Sequence, residues 1–176
     1  MKKKKLFKIS LNALEQSFHP LNEEYISKCI GGGLVSTIDT AGGTIANWTM
    51  NGEKWAIFHS PDGSQFVLEG VHVGNNTLLG QQSNTACYAW GEIRIGNAWT
   101  NFSFNNLIHE YGHYLQEQLH GSLYYYGHVA PASVVSVLSD PYNHSSNPVE
   151  KEATDLGNAY FLATGYGSGS GGGGGW

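Results

Sequence analysis

Phe104-Asn105-Asn106-Leu107-Ile108-His109-Glu110-Tyr111-Gly112-His113-Tyr114-Leu115-Gln116-Glu117-Gln118-Leu119 is the stretch around which the rest of the chain is organised. Leu107, Ile108, Tyr111, Leu115 and Leu119 recur at helical spacing and predict one amphipathic helix over 104–119. Ser103 or Asn105 can cap its start, and Gly121 is a stop signal. On a helix, His109 and His113 point the same way, one turn apart, so two imidazoles meet at one point in space. Two neutral imidazoles so placed can bind Zn²⁺. Glu110 projects about 100° further round the helix, off the metal but beside its open position, where it can take a proton from a bound water. A chain of this composition would hold about 0.02 H-E-x-x-H patterns by chance, so two surface histidines and a salt-bridging glutamate are the weaker explanation. Gly112 costs the helix about 1 kcal/mol, which implies close packing or a substrate approaching that face.

A catalytic zinc needs a third protein ligand and one open position. Asn147-Pro148 forms a cap and first-turn pair, and Ala153, Leu156, Ala159 and Tyr160 follow at helical spacing. Either Glu150 or Glu152 can reach the metal from that helix.

Two histidines in H-E-x-x-H followed by a glutamate on a later helix resemble the gluzincin class of zinc metallopeptidases. The run His109–Gln116 is similar to that of small bacterial members. The resemblance covers about 103–163. It implies an α+β, zincin-like fold, with a small twisted, mostly antiparallel sheet against the two ligand-bearing helices. It also implies one Zn²⁺, a peptide or protein substrate, and Glu110 as general base. One family form of the second helix is Glu-x-x-Ala-Asp, whose Asp supports a zinc-bound histidine. Glu150-Lys151-Glu152-Ala153 fits its first four positions and nominates Glu150 as third ligand; Thr154 departs from it, and Asp155 falls one residue late. Such a site uses a Tyr or His as donor to the developing oxyanion. His128 and Tyr124–Tyr126 are available, and Tyr142 or His144, in the loop before the second helix, is expected to supply it.

Length and composition agree with a single globular domain. The chain has 176 residues, 40% of them hydrophobic. Charged residues make up only 13%, against about 25% in average proteins, and there are 24 glycines, a balance closer to extracellular or cell-envelope proteins than to cytosolic helical ones. The net charge of −5 without a basic stripe argues against nucleic acid, and no run of 18 apolar residues suits a membrane span. Cys29 and Cys87 form no metal-binding motif; they can pair once or remain buried thiols.

Residues 1–33 read as a basic, partly helical lead-in, with short helices over 11–17 and 22–28 and a glycine connector at 31–33. The segment after the first lysines is too polar for a signal-peptide core. The domain proper is expected over 34–164, and 165–176 is a glycine-rich tail. From 34 to 95 the punctuation is that of strands and turns. Strands are expected at Leu34–Ile38, Thr44–Trp48, Trp55–His59, Gln65–Val71, Thr77–Leu79 and Ala89–Ile95, with Gln65–Val71 and Ala89–Ile95 as candidates for pairing with an extended peptide. Ala132–Leu138 is expected to be a short apolar helix or an extended wall. Two other functional classes fit the residues: a zinc-binding, non-catalytic domain, and a peptidase effector or toxin domain of a larger secreted protein. A carbohydrate-binding module built on the Trp- and Gly-rich strands is more distant.

Overall fold

The computed structural model describes residues 32–75, 86–96 and 103–164. The expected helices at 11–17 and 22–28, the strand at Thr77–Leu79, Cys29 and the tail lie outside the described residues. The architecture is α+β. A four-stranded antiparallel sheet of β1 (Gly33–Thr40), β2 (Gly43–Met50), β3 (Glu53–His59) and β4 (Gln65–Glu69) follows the chain in order. A second sheet has the order β5 (His72–Asn75), β7 (Glu92–Ile95), β6 (Ala86–Ala89), with β5 parallel and β6 antiparallel to the central β7. The helices α1 (Phe104–His120), α2 (Ser122–Tyr124), α3 (Ala130–Ser139) and α4 (Pro148–Ala163) follow, with a π-helical turn over Tyr125–Val129 joining α2 to α3.

Local chemistry accounts for most of these elements. The β2–β3 hairpin turns through Asn51-Gly52 at φ 53° and 81°, the left-handed pair that a two-residue hairpin requires. Ser103 caps α1, accepting from the Asn106 backbone N–H, and Asn147 caps α4, accepting from that of Val149 at 3.1 Å. The apolar stripe of α1 closes the core: Leu107, Ile108 and Tyr111 pack with Ile45, Phe58, Phe66, Leu68, Val73 and Ile93 of the two sheets. Tyr125 and Val129 of the π-helical turn bury into the same core, whereas α3 buries no residue. The sheets meet through a side chain. The buried Asn47 amide on β2 donates to the Val73 carbonyl and accepts from the Val73 N–H, both at 2.7 Å, and so stands in for a peptide unit of a neighbouring strand.

The expected strand over Ala89–Ile95 is two strands. The chain turns at Trp90-Gly91 (φ 49° and 71°), placing β6 on one side of the hairpin and β7 on the other. A tryptophan gives no turn signal, because left-handed backbone is rare for large side chains. β7 is paired on both sides and offers no edge to a peptide. β6 is paired on one side only, among the described residues.

Candidate metal centre

The helices α1 and α4 cross at backbone contact. A Cβ on Gly112 would lie 1.8 Å from the Ala153 carbonyl oxygen, and one on Gly157 would lie 2.3 Å from that of Ile108. Gly112 is therefore explained by helix packing, and that closeness brings α4 within reach of both histidines.

His109, His113 and Glu150 form a group whose ligand atoms all lie within 4.8 Å of one another. The Glu150 Oε2 atom sits 3.0 Å from His109 Nε2 and 3.4 Å from His113 Nε2. Glu152 points away from the group. Its Oε2 accepts from the Gln116 amide at 2.9 Å, and its Oε1 meets His120 Nε2 at 2.9 Å.

Partners on the far side of each ring fix the tautomers. His109 Nδ1 lies 2.9 Å from the Thr154 hydroxyl, which donates its own proton to the Glu150 carbonyl at 3.0 Å. The hydroxyl oxygen is thus an acceptor toward His109, so Nδ1 carries the proton. His113 Nδ1 lies 2.8 Å from Gln116 Oε1, a carbonyl oxygen that only accepts. The orientation of that amide is set by its nitrogen, which donates to the Val149 carbonyl at 2.8 Å and to Glu152. Both histidines therefore direct an Nε2 lone pair at a carboxylate oxygen. In their neutral form these two imidazoles bring an Nε2 atom each to the carboxylate oxygen, which is the donor set and outer support of a divalent-cation site. The other Glu150 oxygen, Oε1, is buried without a hydrogen-bond partner among the described residues, so the carboxylate has capacity to spare for an ion. The residues present fit a zinc ion.

The electrostatics have the same sense. Burial alone would raise the Glu150 carboxyl, but the His109 and His113 imidazoles against it outweigh that and hold the group below the usual carboxylate range. Burial alone would lower His113; Glu150 and Glu110 beside it outweigh that and raise it. The cluster thus attracts positive charge, whether protons or a metal. Glu110 is buried at 8% exposure and takes no place among the three ligands. Burial pushes its carboxyl up, opposed by the two histidines and by a hydrogen bond from the Tyr88 backbone N–H of β6.

Of the two expected oxyanion donors, the fold brings in His144. It lies on a 3₁₀ turn (His144–Ser146) before α4, with Nε2 3.3 Å from Glu150 Oε2 and a buried Nδ1 that has no partner among the described residues. Tyr142, two residues earlier, is 95% exposed. His128 is exposed and lies against the Tyr124 ring instead. Gln116 and Thr154 are the site residues that motif reasoning did not assign. Gln116 carried one signal, its position three residues after His113 on the same helix face. Thr154 holds the place where the family form has Asp, and Asp155 pairs with Lys151 on the surface at 2.8 Å.

No family model matches the chain, and neither a curated protein nor a solved structure matches it.

Proposed function

We propose that this chain is a zinc-dependent peptidase of the gluzincin kind, with His109, His113 and Glu150 holding the metal. The observation that carries this reading is the convergence of two tautomer-fixed imidazoles and a buried carboxylate on one point, with a second buried carboxylate, Glu110, beside it. A bound zinc ion supplies Lewis acidity toward the scissile carbonyl and lowers the pKa of the attacking water. Glu110 accepts that water's proton. Buried beside the cluster, it is placed to hold that proton and pass it to the leaving amine. His144 Nε2, on the Glu150 side of the cluster, donates to the oxygen that gains negative charge. β6, paired on one side only among the described residues, offers an edge to an extended peptide.

The test is metal content by elemental analysis together with cleavage of a mixed peptide pool. Wild type is expected to hold about one zinc per chain and to cleave. Glu110→Gln is expected to keep the zinc and lose cleavage by about 10²–10⁴-fold. Full activity in Glu110→Gln would refute the mechanism. A zinc-binding, non-catalytic domain is the second reading, and the closeness of His144 to Glu150 favours testing it. Loss of zinc in His144→Ala would make His144 a fourth ligand that closes the site, whereas retained zinc with reduced cleavage supports the oxyanion role.

A further inference from the structure

The β6–β7 turn presents an aromatic side chain in a conformation that such a residue seldom takes. The β2–β3 turn and the β6–β7 turn have the same left-handed pair of residues. The first uses Asn51-Gly52 and the second Trp90-Gly91. Asn tolerates that backbone and Trp does so at a steric cost. Burial gives Trp90 nothing in return, since it is 78% exposed.

The turn is also held rigidly. The Trp90 N–H donates to the Tyr126 hydroxyl at 2.7 Å and the Gly91 N–H to the Tyr88 hydroxyl at 3.1 Å. Both hydroxyls in turn donate to Glu117 Oε2 on α1, at 3.2 Å and 2.6 Å. The Trp90 indole stacks on the Tyr126 ring with centroids 5.7 Å apart and planes 17° from parallel. Glu117 lies one helical turn beyond His113. Trp90 directly follows the last residue of β6, and on that strand the Tyr88 ring packs edge-on against Tyr125, whose ring does the same to His113. A preorganised, solvent-facing aromatic pair therefore stands at the end of β6, an edge strand of its sheet among the described residues.

We propose that Trp90 and Tyr126 form a specificity platform for a peptide substrate lying along β6, and that it receives an aromatic or large apolar side chain of that peptide. Because the occupant is a peptide, this rests on the peptidase reading above. An indole held on a fixed ring offers stacking area without further ordering cost, which suits an aromatic partner better than a small or acidic one.

Trp90→Asn is the informative variant, because Asn51 already occupies the matching position of the other hairpin. Zinc-loaded wild type and variant would be profiled with a randomised peptide library, alongside thermal unfolding and zinc content. The expected result is an aromatic preference at one substrate position in wild type, reduced about tenfold in Trp90→Asn, with zinc and Tm retained and a partial return in Trp90→Phe. The same library would be offered to zinc-loaded Glu110→Gln, which should retain aromatic peptides that Glu110→Gln/Trp90→Asn does not. Identical cleavage and retention profiles with and without the indole would overturn the platform. A fall in Tm with an unchanged profile would also overturn it, by showing that Trp90 serves packing alone. Zinc-bound wild type that cleaves nothing, while Glu110→Gln retains aromatic peptides through Trp90, would refute the peptidase reading and uphold the peptide platform. No cleavage and no retention would overturn both.

Discussion

Gly112→Ala adds one methyl group at the point where the two ligand-bearing helices touch. The added Cβ would lie 1.8 Å from the Ala153 carbonyl oxygen and 2.6 Å from its carbon. Both obstructing atoms are backbone, so no rotamer change relieves the overlap. An ordinary contact needs about 3.4 Å, so α4 must retreat from α1 by roughly 1.5 Å. Alanine favours the helix over glycine by about 1 kcal/mol, while overpacking of this kind costs about 1–3 kcal/mol. The net loss of stability is therefore small, about 0–2 kcal/mol. The effect on a metal bound at the proposed site would be larger, because zinc ligand distances hold to about 0.2 Å and Glu150 stands only three residues before Ala153. Zinc affinity, measured by competition with a chromogenic chelator, is expected to fall by 100-fold or more while circular dichroism retains the helix signal. Unchanged affinity with raised stability, the outcome for a glycine on an open helix face, would refute the backbone contact and with it the account of how α4 reaches the histidines.

Glu150→Ala is expected to abolish stoichiometric zinc, whereas Glu152→Ala should retain it with weaker affinity, as elemental analysis would report. Thr154→Val and Gln116→Leu each remove the acceptor that fixes one imidazole; each should weaken zinc binding about 10–100-fold, read by the same chelator competition, while removing no ligand. Zinc at 100 times its Kd should stabilise the folded chain by about 2.7 kcal/mol, so a chelator such as EDTA should lower Tm by several degrees, and no shift would count against a site formed only in the folded state. Asn47→Leu strands the Val73 N–H and carbonyl at the junction of the sheets and is expected to cost about 2–4 kcal/mol in chemical denaturation.

The helix bearing His109 and His113 was legible because cap, apolar stripe and stop signal agree, and α1 runs to His120 where the pattern predicts 119. The third member of the cluster was legible only as a pair, Glu150 or Glu152. Both sit on the same helix, and the choice is made by how α4 rotates as Gly112 and Gly157 let it approach, a property of the packed pair that neither helix records alone. Thr154 departed from the expected acid yet accepts the same hydrogen bond, since a hydroxyl whose proton is taken by the Glu150 carbonyl serves as an acceptor. Trp90-Gly91 was read through as strand because its turn is imposed from outside, by the Tyr126 and Tyr88 hydroxyls, and not by the preference of the residues. No local hairpin signal marks β5 as a separate strand, because His72–Asn75 is short and pairs in parallel with a distant strand.

The segment between α1 and α4 buries little, with only Tyr125 and Val129 at low exposure from residue 121 to residue 147. A metal shared by His113 and Glu150 would close this segment as a covalent bridge closes a loop. In chain-entropy terms a cross-link over a loop of that length is equivalent to about 4 kcal/mol. The ion would then act on chain topology as well as on chemistry. Stripped of it, the loop should become the first region cut by an added protease, and the sites of those first cuts would map how far the tether extends.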